Sequence, residues 1–132
     1  MNAGKLLAIG AAITVTLAVG TSIWLDPPAD NRTRAMDDER MRRLALIKTA
    51  VDNYFARHQA LPRDLEALNA ETNELLRASW RDPKTGGPFE YEITAEKNYR
   101  LCANFERSSS RRYTYYFPEH KVGRDCLEYN VK

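Results

Sequence analysis

The sequence lacks a marked excess of charge of either sign. Its 132 residues include 20 lysines and arginines against 18 aspartates and glutamates, which gives a formal net charge of +2. This balance provides no electrostatic footprint for nucleic acid, so we expect no nucleic-acid partner. A chain of this length supports one globular domain, which excludes a multidomain enzyme. With 43% hydrophobic residues, the composition also excludes a long disordered or collagen-like protein.

Recognisable catalytic and cofactor motifs are also missing. The two cysteines and two histidines show neither a C-x-x-C nor an H-x-x-x-H spacing, so a zinc site is not supported. We therefore predict a protein that is not an enzyme, with no cofactor and no identified small-molecule substrate.

Acidic residues are absent from the first 25 positions, where Lys5 is the single charged side chain. As a helix rising ~1.5 Å per residue, the uncharged run Leu6–Leu25 would be ~30 Å long, which matches the hydrocarbon core of a bilayer. Trp24 lies near one end, where an indole suits the headgroup boundary. We therefore predict a transmembrane signal-anchor over residues 1–25, embedded in the lipid bilayer.

The predicted anchor is followed by a linker at 26–32 and a soluble domain at 33–132. Pro27 and Pro28 are expected to stop the membrane helix, because proline lacks the N–H donor and clashes with the preceding turn. A cleaved signal peptide is the alternative, with a small-residue cleavage site at Ala18-Val19-Gly20.

Small residues recur every four positions along the anchor in two rows. In lipid, close backbone approach through small residues is a main source of helix–helix contact energy. We therefore expect the anchor to pack against other transmembrane proteins of a complex. The predicted helix-packing interface consists of Ala8, Gly10, Ala12, Thr14, Thr16, Ala18 and Gly20.

The sequence contains opposing signals for the orientation of the anchor. Several arginines follow it, and by the positive-inside rule they would keep the domain in the cytoplasm. The short N-terminal tail and the cysteines favour a cytoplasmic N-terminus and a periplasmic domain. We predict a single-pass protein of the bacterial inner membrane in that orientation.

The soluble domain begins with a helical period over about Thr33–Gln59. Its apolar residues recur at spacings of three and four: Met41, Leu44, Ile47, Val51, Phe55 and, at the edge, His58. Short helices are predicted from about Arg63 to Trp80. Met41 is expected to be less buried than Val51 and Phe55, because a small sheet should cover only the distal half of the helix.

After Gly87 the period changes from 3.6 to 2, which predicts strands. The alternating segments are Phe89–Ile93, Tyr99–Phe105, Tyr113–Phe117 and a short fourth one at Asp125–Val131. Residues 95–98 suit a hairpin turn, and Glu90 and Glu92 are expected to face Arg100 across it. The predicted fold class is α+β: a transmembrane helix, then a long amphipathic helix on a sheet of three or four antiparallel strands.

Four degenerate motifs within Ala45–Phe105 give this domain a family resemblance. They are Ile47-x-x-Ala50-Val51-x-x-Tyr54, Leu61-Pro62-x-x-Leu65-x-x-Leu68, Asp82-Pro83 with Gly87-Pro88-Phe89-x-Tyr91, and Tyr99-x-Leu101-x-Ala103. The domain resembles the globular domain of the major pseudopilin of type II secretion. That resemblance implies a membrane helix running into the long helix, with three or four antiparallel strands packed on it. It also leaves open a calcium site in the loops of the sheet, although no loop carries acids at the usual ligand spacing. The candidate calcium ligands are Asp82, Glu119 and Asp125.

The N-terminus differs from the family pattern. A processed pseudopilin begins after a glycine with an aromatic residue and has a glutamate at its fifth mature position. Here Gly4 is followed by Lys5-Leu6-Leu7, and the membrane run contains no glutamate. The sequence therefore predicts a pseudopilin-like domain on an anchor that is not a prepilin anchor.

Cys102 and Cys126 are the only cysteines. In an exported domain they are expected to form a disulfide that closes a loop of ~25 residues and stabilises the fold by ~3 kcal/mol. Alternation places Cys102 on the face of its strand opposite Leu101 and Ala103, away from the helix. The function predicted from all these features is a non-catalytic accessory or interaction subunit of a larger inner-membrane complex. The alternative is a pseudopilin-type component of a type II secretion or type IV pilus-like system.

Overall fold

The computed structural model describes Gly4, residues 28–109 and residues 118–132. The predicted membrane segment at 1–25, with its seven helix-packing residues, and the predicted strand at Tyr113–Phe117 therefore lie outside the described residues, apart from Gly4. Within the described ranges, no helix is both long enough and apolar enough to cross a membrane. The chain divides into two compact units, Met1–Thr33 and Arg34–Lys132.

A long helix, α1, spans Pro28–His58. It begins at Pro28 rather than at Thr33, so residues 28–32 of the predicted linker are helical. Proline is compatible with the first turn of a helix, where its missing N–H would have no intrahelical partner. The helix ends at a left-handed residue, Gln59, whose φ is 54° and whose N–H donates to the Phe55 carbonyl oxygen at 2.8 Å.

Two short helices follow α1. A 3-10 helix covers Leu65–Glu71, and Asp64 caps it by accepting the Ala67 N–H at 2.8 Å. A helix of one turn, α2, covers Glu74–Ala78, and its cap Asn73 accepts the Leu76 N–H at 3.0 Å. Helical structure was predicted for this region, and the structure divides it into these two capped pieces.

The described strands form an antiparallel sheet in the order β1-β2-β3. Their bounds are Glu90–Ala95 for β1, Asn98–Phe105 for β2 and Gly123–Asn130 for β3. The predicted hairpin turn at 95–98 is confirmed by the pairing of Ala95 with Asn98. The segment predicted as a short fourth strand is β3, which pairs with β2 from Asn98↔Asn130 to Phe105↔Gly123.

The hydrophobic core lies between α1 and one face of the sheet. Leu44, Ile47 and Val51 of the helix and Tyr99 and Leu101 of β2 are completely buried. The α+β arrangement of a long helix on an antiparallel sheet is therefore as predicted. Other members of the same cluster are Met41, Phe55, Leu68, Trp80, Phe89, Ala103, Phe105, Leu127 and Val131.

The expectation for Met41 is wrong. Its exposed fraction is 3%, slightly below the 5% of Phe55, although above the 0% of Val51. The cover over α1 extends further toward its N-terminus than a short sheet alone would allow. Buried polar residues mark this extension, because Asp37 and Arg40 are 4% and 2% exposed.

Candidate functional site

Of the two predicted sites, the disulfide lies within the described residues and the helix-packing interface lies outside them. Cys102 and Cys126 are bonded and stand directly opposite each other in the β2–β3 pair, with their Cα atoms 4.0 Å apart. Side chains alternate across a strand, so both sulfurs lie on the sheet face that points away from α1. This placement agrees with the predicted pairing and with the predicted face.

An ion pair crosses the sheet beside the disulfide. Glu90 of β1 is the register partner of Cys102, and Arg124 of β3 lies two positions before Cys126 on the same face. Arg124 Nη2 donates to Glu90 Oε2 at 2.6 Å and lies 3.6 Å from the Cys102 sulfur. The Arg124 side chain therefore reaches from the β3 edge across the central strand. Cys102 is left 2% exposed, whereas Cys126 is only partly buried.

The charges on this outer face match the expected pattern only in part. Arg100 pairs with Glu92 at 2.7 Å, as predicted for the hairpin. Glu90 pairs with Arg124 instead of Arg100, because the arginine reaches it diagonally from β3. The hydrogen bond from Arg124 lowers the pKa of Glu90, and the same bond raises the pKa of Arg124. Both groups therefore keep their charges at neutral pH.

A buried charge cluster, which the sequence analysis missed, joins α1 to two loops. Arg40 Nη1 donates to Asp37 Oδ1 at 2.7 Å, and Arg40 Nε donates to Asp82 Oδ2 at 2.6 Å. The Arg40 side chain is 3% exposed. Asp37 also accepts the backbone N–H groups of Glu106 and Arg107 at 2.9 to 3.2 Å. The cluster therefore ties the end of β2 and the loop after α2 to the helix.

The pKa values in this cluster depend on two opposing effects: burial disfavours the charged forms, and hydrogen bonds favour them. Burial alone would raise the pKa of Asp82, but hydrogen bonds from Arg40 and from the N–H groups of Thr85 and Lys84 outweigh it and lower the pKa to about 2. Burial alone would lower the pKa of Arg40, and its bonds to Asp82 and Asp37 instead raise it. The hydrogen bond from Lys84 lowers the pKa of Glu106. Arg40, Asp82 and Glu106 are therefore charged at neutral pH.

Three tyrosines, one from each strand, lie together on the inner face of the sheet. The ring centroid of Tyr99 is 5.6 Å from that of Tyr91 and 5.5 Å from that of Tyr129. Burial raises the pKa of Tyr91 and Tyr129 to about 12, and it raises the pKa of Tyr99 as well. The tyrosines are therefore neutral members of the core.

The outer side of α1 borders an open groove of about 200 Å³. It runs between α1 and the short helices, and Leu46 beside it is 42% exposed. The residues lining it are Leu46, Thr49, Ala50, Asn53, Arg57, Leu68, Thr72 and Leu76. The short helices therefore cover this side of α1 only partly.

The two histidines lie in aromatic contacts. His58 is exposed at the end of α1 and stacks on Tyr54 at 4.2 Å between centroids, instead of lying at the edge of the core. His120 is 8% exposed and stacks on Phe105 at 3.8 Å. Its backbone N–H donates to the Ser109 hydroxyl oxygen at 2.7 Å.

The three candidate calcium ligands do not form a common site. Asp82 is bound to Arg40, and Asp125 accepts the N–H groups of Lys121 and Cys126 at 2.8 and 3.1 Å. Glu119 is exposed in the segment before β3. Among the residues that the structure describes, no group of three or more His, Cys, Asp or Glu side chains is placed to hold a metal ion.

Comparisons with protein-family models, with curated proteins and with solved structures found no match to this chain. The geometry of the molecule itself is therefore the basis for any functional argument.

Proposed function

We propose that this protein is a non-catalytic accessory subunit of a bacterial inner-membrane complex. A single N-terminal anchor holds it in the membrane, and the α+β domain is presented in the periplasm. The anchor contributes the main contact with the partner proteins.

The observation that carries this proposal is the Cys102–Cys126 disulfide in a domain that follows an uncharged run of membrane length. Disulfides persist in oxidising compartments such as the periplasm and are rare in the cytosol of mesophiles. The disulfide therefore supports the orientation that the short N-terminal tail favours over the one favoured by the arginines after the anchor.

The proposed contact surface of the anchor is its pair of small-residue rows. Gly10 is the first residue of one row and Ala12 the second residue of the other, and large residues such as Leu17 lie between the rows. A leucine at either small position would hold the backbones apart and remove the packing energy that drives association in lipid.

The proposed interface is tested by co-purification from native membranes in mild detergent. Gly10→Leu and Ala12→Leu are expected to weaken recovery of the partner proteins while the periplasmic domain keeps its disulfide. Leu17→Ile, which preserves side-chain volume, is the matched control and is expected to retain the partners. Full association of both leucine variants, together with partner binding by a chain lacking residues 1–25, would place the interface in the globular domain.

The periplasmic location of the domain has a separate test. Freshly solubilised membranes are treated with an alkylating reagent under non-reducing conditions, and the cysteine peptides are identified by mass spectrometry. No free thiol is expected. Quantitative alkylation of Cys102 and Cys126 would contradict both the bridge and the location.

A pseudopilin-type component is the second candidate, supported by the long helix on an antiparallel sheet and by the start of α1 at Pro28, close to the end of the apolar run. Sequencing the N-terminus of the mature protein separates the two proposals. Cleavage after Gly4 would favour the pseudopilin-type component, and an intact N-terminus would favour the accessory subunit. Cleavage near Gly20 would contradict both.

A further inference from the structure

The two cysteines of the disulfide differ in exposure. Cys102 lies on the central strand and is 2% exposed, whereas Cys126 lies on β3 and is partly exposed. A thiolate attacks a disulfide in line with the S–S bond, so attack on either sulfur comes from the side opposite its partner. Attack on Cys126 comes from beyond β3, whereas attack on Cys102 comes from the side of β1.

On the side of β1, an ion pair stands next to Cys102. Glu90 is the register partner of Cys102 on that side, and its carboxylate is held there by Arg124 at 2.6 Å. A thiolate approaching Cys102 from that side would have to displace the paired Glu90 and Arg124 side chains. Cys126, in contrast, is only partly buried.

The two sulfurs also differ as leaving groups. Arg124 Nη2 lies 3.6 Å from the Cys102 sulfur, where it can donate a hydrogen bond to a thiolate. A nearby cation stabilises the thiolate form of cysteine, and a more stable thiolate leaves a disulfide faster. Departure of Cys102 is therefore favoured by the same side chain that hinders attack on it.

We propose that the disulfide is a regioselective site of thiol–disulfide exchange, at which an incoming thiolate bonds to Cys126 and releases Cys102 beside Arg124. The attacking sulfur forms a new bond to the Cys126 sulfur, the Cys102–Cys126 bond breaks, and its electron pair goes to Cys102. The reverse sequence forms the bridge: the Cys102 thiolate attacks a mixed disulfide on Cys126 and expels the other thiol. The reactant on either route is a thiol, from a small molecule or from an oxidoreductase.

The test uses the full chain, purified in mild detergent with its disulfide intact, and 2-mercaptoethanol as the attacking thiol. Brief exposure is ended with acid and N-ethylmaleimide, and the tryptic peptides are analysed by mass spectrometry. Trypsin separates the cysteines, because Arg100 and Arg107 bracket Cys102 and Arg124 precedes Cys126. We expect the mercaptoethanol adduct on Cys126 to exceed that on Cys102 by about tenfold or more.

Arg124→Gln is expected to slow exchange by about threefold or more and to raise the share of adduct on Cys102. Arg100→Gln is the matched control, because it removes the same charge from the same face at a residue paired with Glu92. It is expected to leave the rate and the site of attack nearly unchanged. Arg124→Lys keeps a cation and should restore most of the rate.

Equal adduct on the two cysteines of the unmodified chain, or an excess on Cys102, would overturn the proposal. Equal slowing by Arg124→Gln and Arg100→Gln would also overturn it, because the effect would then be one of net charge. A preserved far-UV circular dichroism spectrum of each oxidised variant keeps these outcomes interpretable. A reduced oxidoreductase in place of 2-mercaptoethanol then tests whether a protein thiol reaches the same sulfur.

Discussion

Replacing Arg40 by methionine should destabilise the domain more than any change to a surface charge. The Arg40 side chain is 3% exposed, and the carboxylates of Asp37 and Asp82 that it contacts are 5% and 12% exposed. Removing one partner of a buried ion pair costs ~3–5 kcal/mol, because the remaining charge stays buried without compensation. Both carboxylates keep backbone N–H donors, so we expect the lower end of that range, ~3 kcal/mol.

Urea unfolding followed by far-UV circular dichroism measures this loss. It is a large share of the ~5–15 kcal/mol typical of a whole domain, so the midpoint should move well to lower urea. Arg42→Met is the matched control on the same helix. The Arg42 side chain is 63% exposed and pairs with Glu39 at 3.2 Å, so its loss should cost less than ~1 kcal/mol.

Equal losses in the Arg40 and Arg42 variants would refute the reasoning. If Arg40→Met does not fold, Arg40→Lys provides the test, because it keeps the charge without the two-pronged contact to Asp82. Arg40→Lys should fold, with a free energy of unfolding below that of the native chain. A double variant that adds Asp82→Asn should lose less than the sum of the single losses, because the two groups share one interaction.

Three further predictions concern pH, a buried hydroxyl and a helix end. The pKa of Asp82 is about 2 in the fold, below its ordinary 3.8, so its contribution of up to ~2 kcal/mol is present above pH ~4 and is lost as the pH falls toward ~2. Between pH ~4 and ~2, the urea midpoint should therefore fall less in Asp82→Asn than in the native chain. An equal fall in the two chains would contradict this. The Tyr99 hydroxyl is buried without a hydrogen-bond partner in the described part of the chain. Tyr99→Phe should thus keep or raise the free energy of unfolding by up to ~1 kcal/mol, and a clear decrease would reveal a partner. Gln59 holds a φ of 54°, so Gln59→Gly should raise the thermal midpoint through ~0.5–1 kcal/mol of relieved backbone strain, whereas a lowered midpoint would argue against a left-handed helix end.

The long helix and the sheet were predictable because their periods are strong and local. The spacing of Leu44, Ile47 and Val51 defines one face of a helix, and the alternation of Tyr99 and Leu101 defines one face of a strand. Both periods persist in the structure because the two faces meet in a single core. The pairing of the cysteines was predictable because only one pair exists.

The buried charge cluster was not predicted from the sequence, because charged side chains are usually exposed to solvent. Asp37 and Arg40 fall on the same stripe of α1 as Met41 and Leu44, at spacings of three and four. That spacing was a usable signal, since charges within an apolar stripe are buried when they have partners. Their partner Asp82, however, lies far along the chain, and no local pattern links it to Arg40.

The bounds of α1 and the cover over Met41 were also missed, for different reasons. The prediction for Pro28 rests on proline as a helix breaker, although proline is equally suited to a first helical turn. The burial of Met41 depends on where the loop of Asp82 and the end of β2 lie in space, and sequence periodicity contains no information about those positions.

The register of the two cysteines makes bridge formation a check on the correct folding of the sheet. Cys102 and Cys126 are direct partners in a pairing that runs without interruption along the whole of β3. If β3 slipped by one residue during folding, the two sulfurs would lie on opposite faces, and after a slip of two residues they would be diagonal neighbours too far apart to bond easily. Oxidation therefore selects chains whose strands are already aligned. Once it has occurred, slipped registers of β2 against β3 are closed to the molecule.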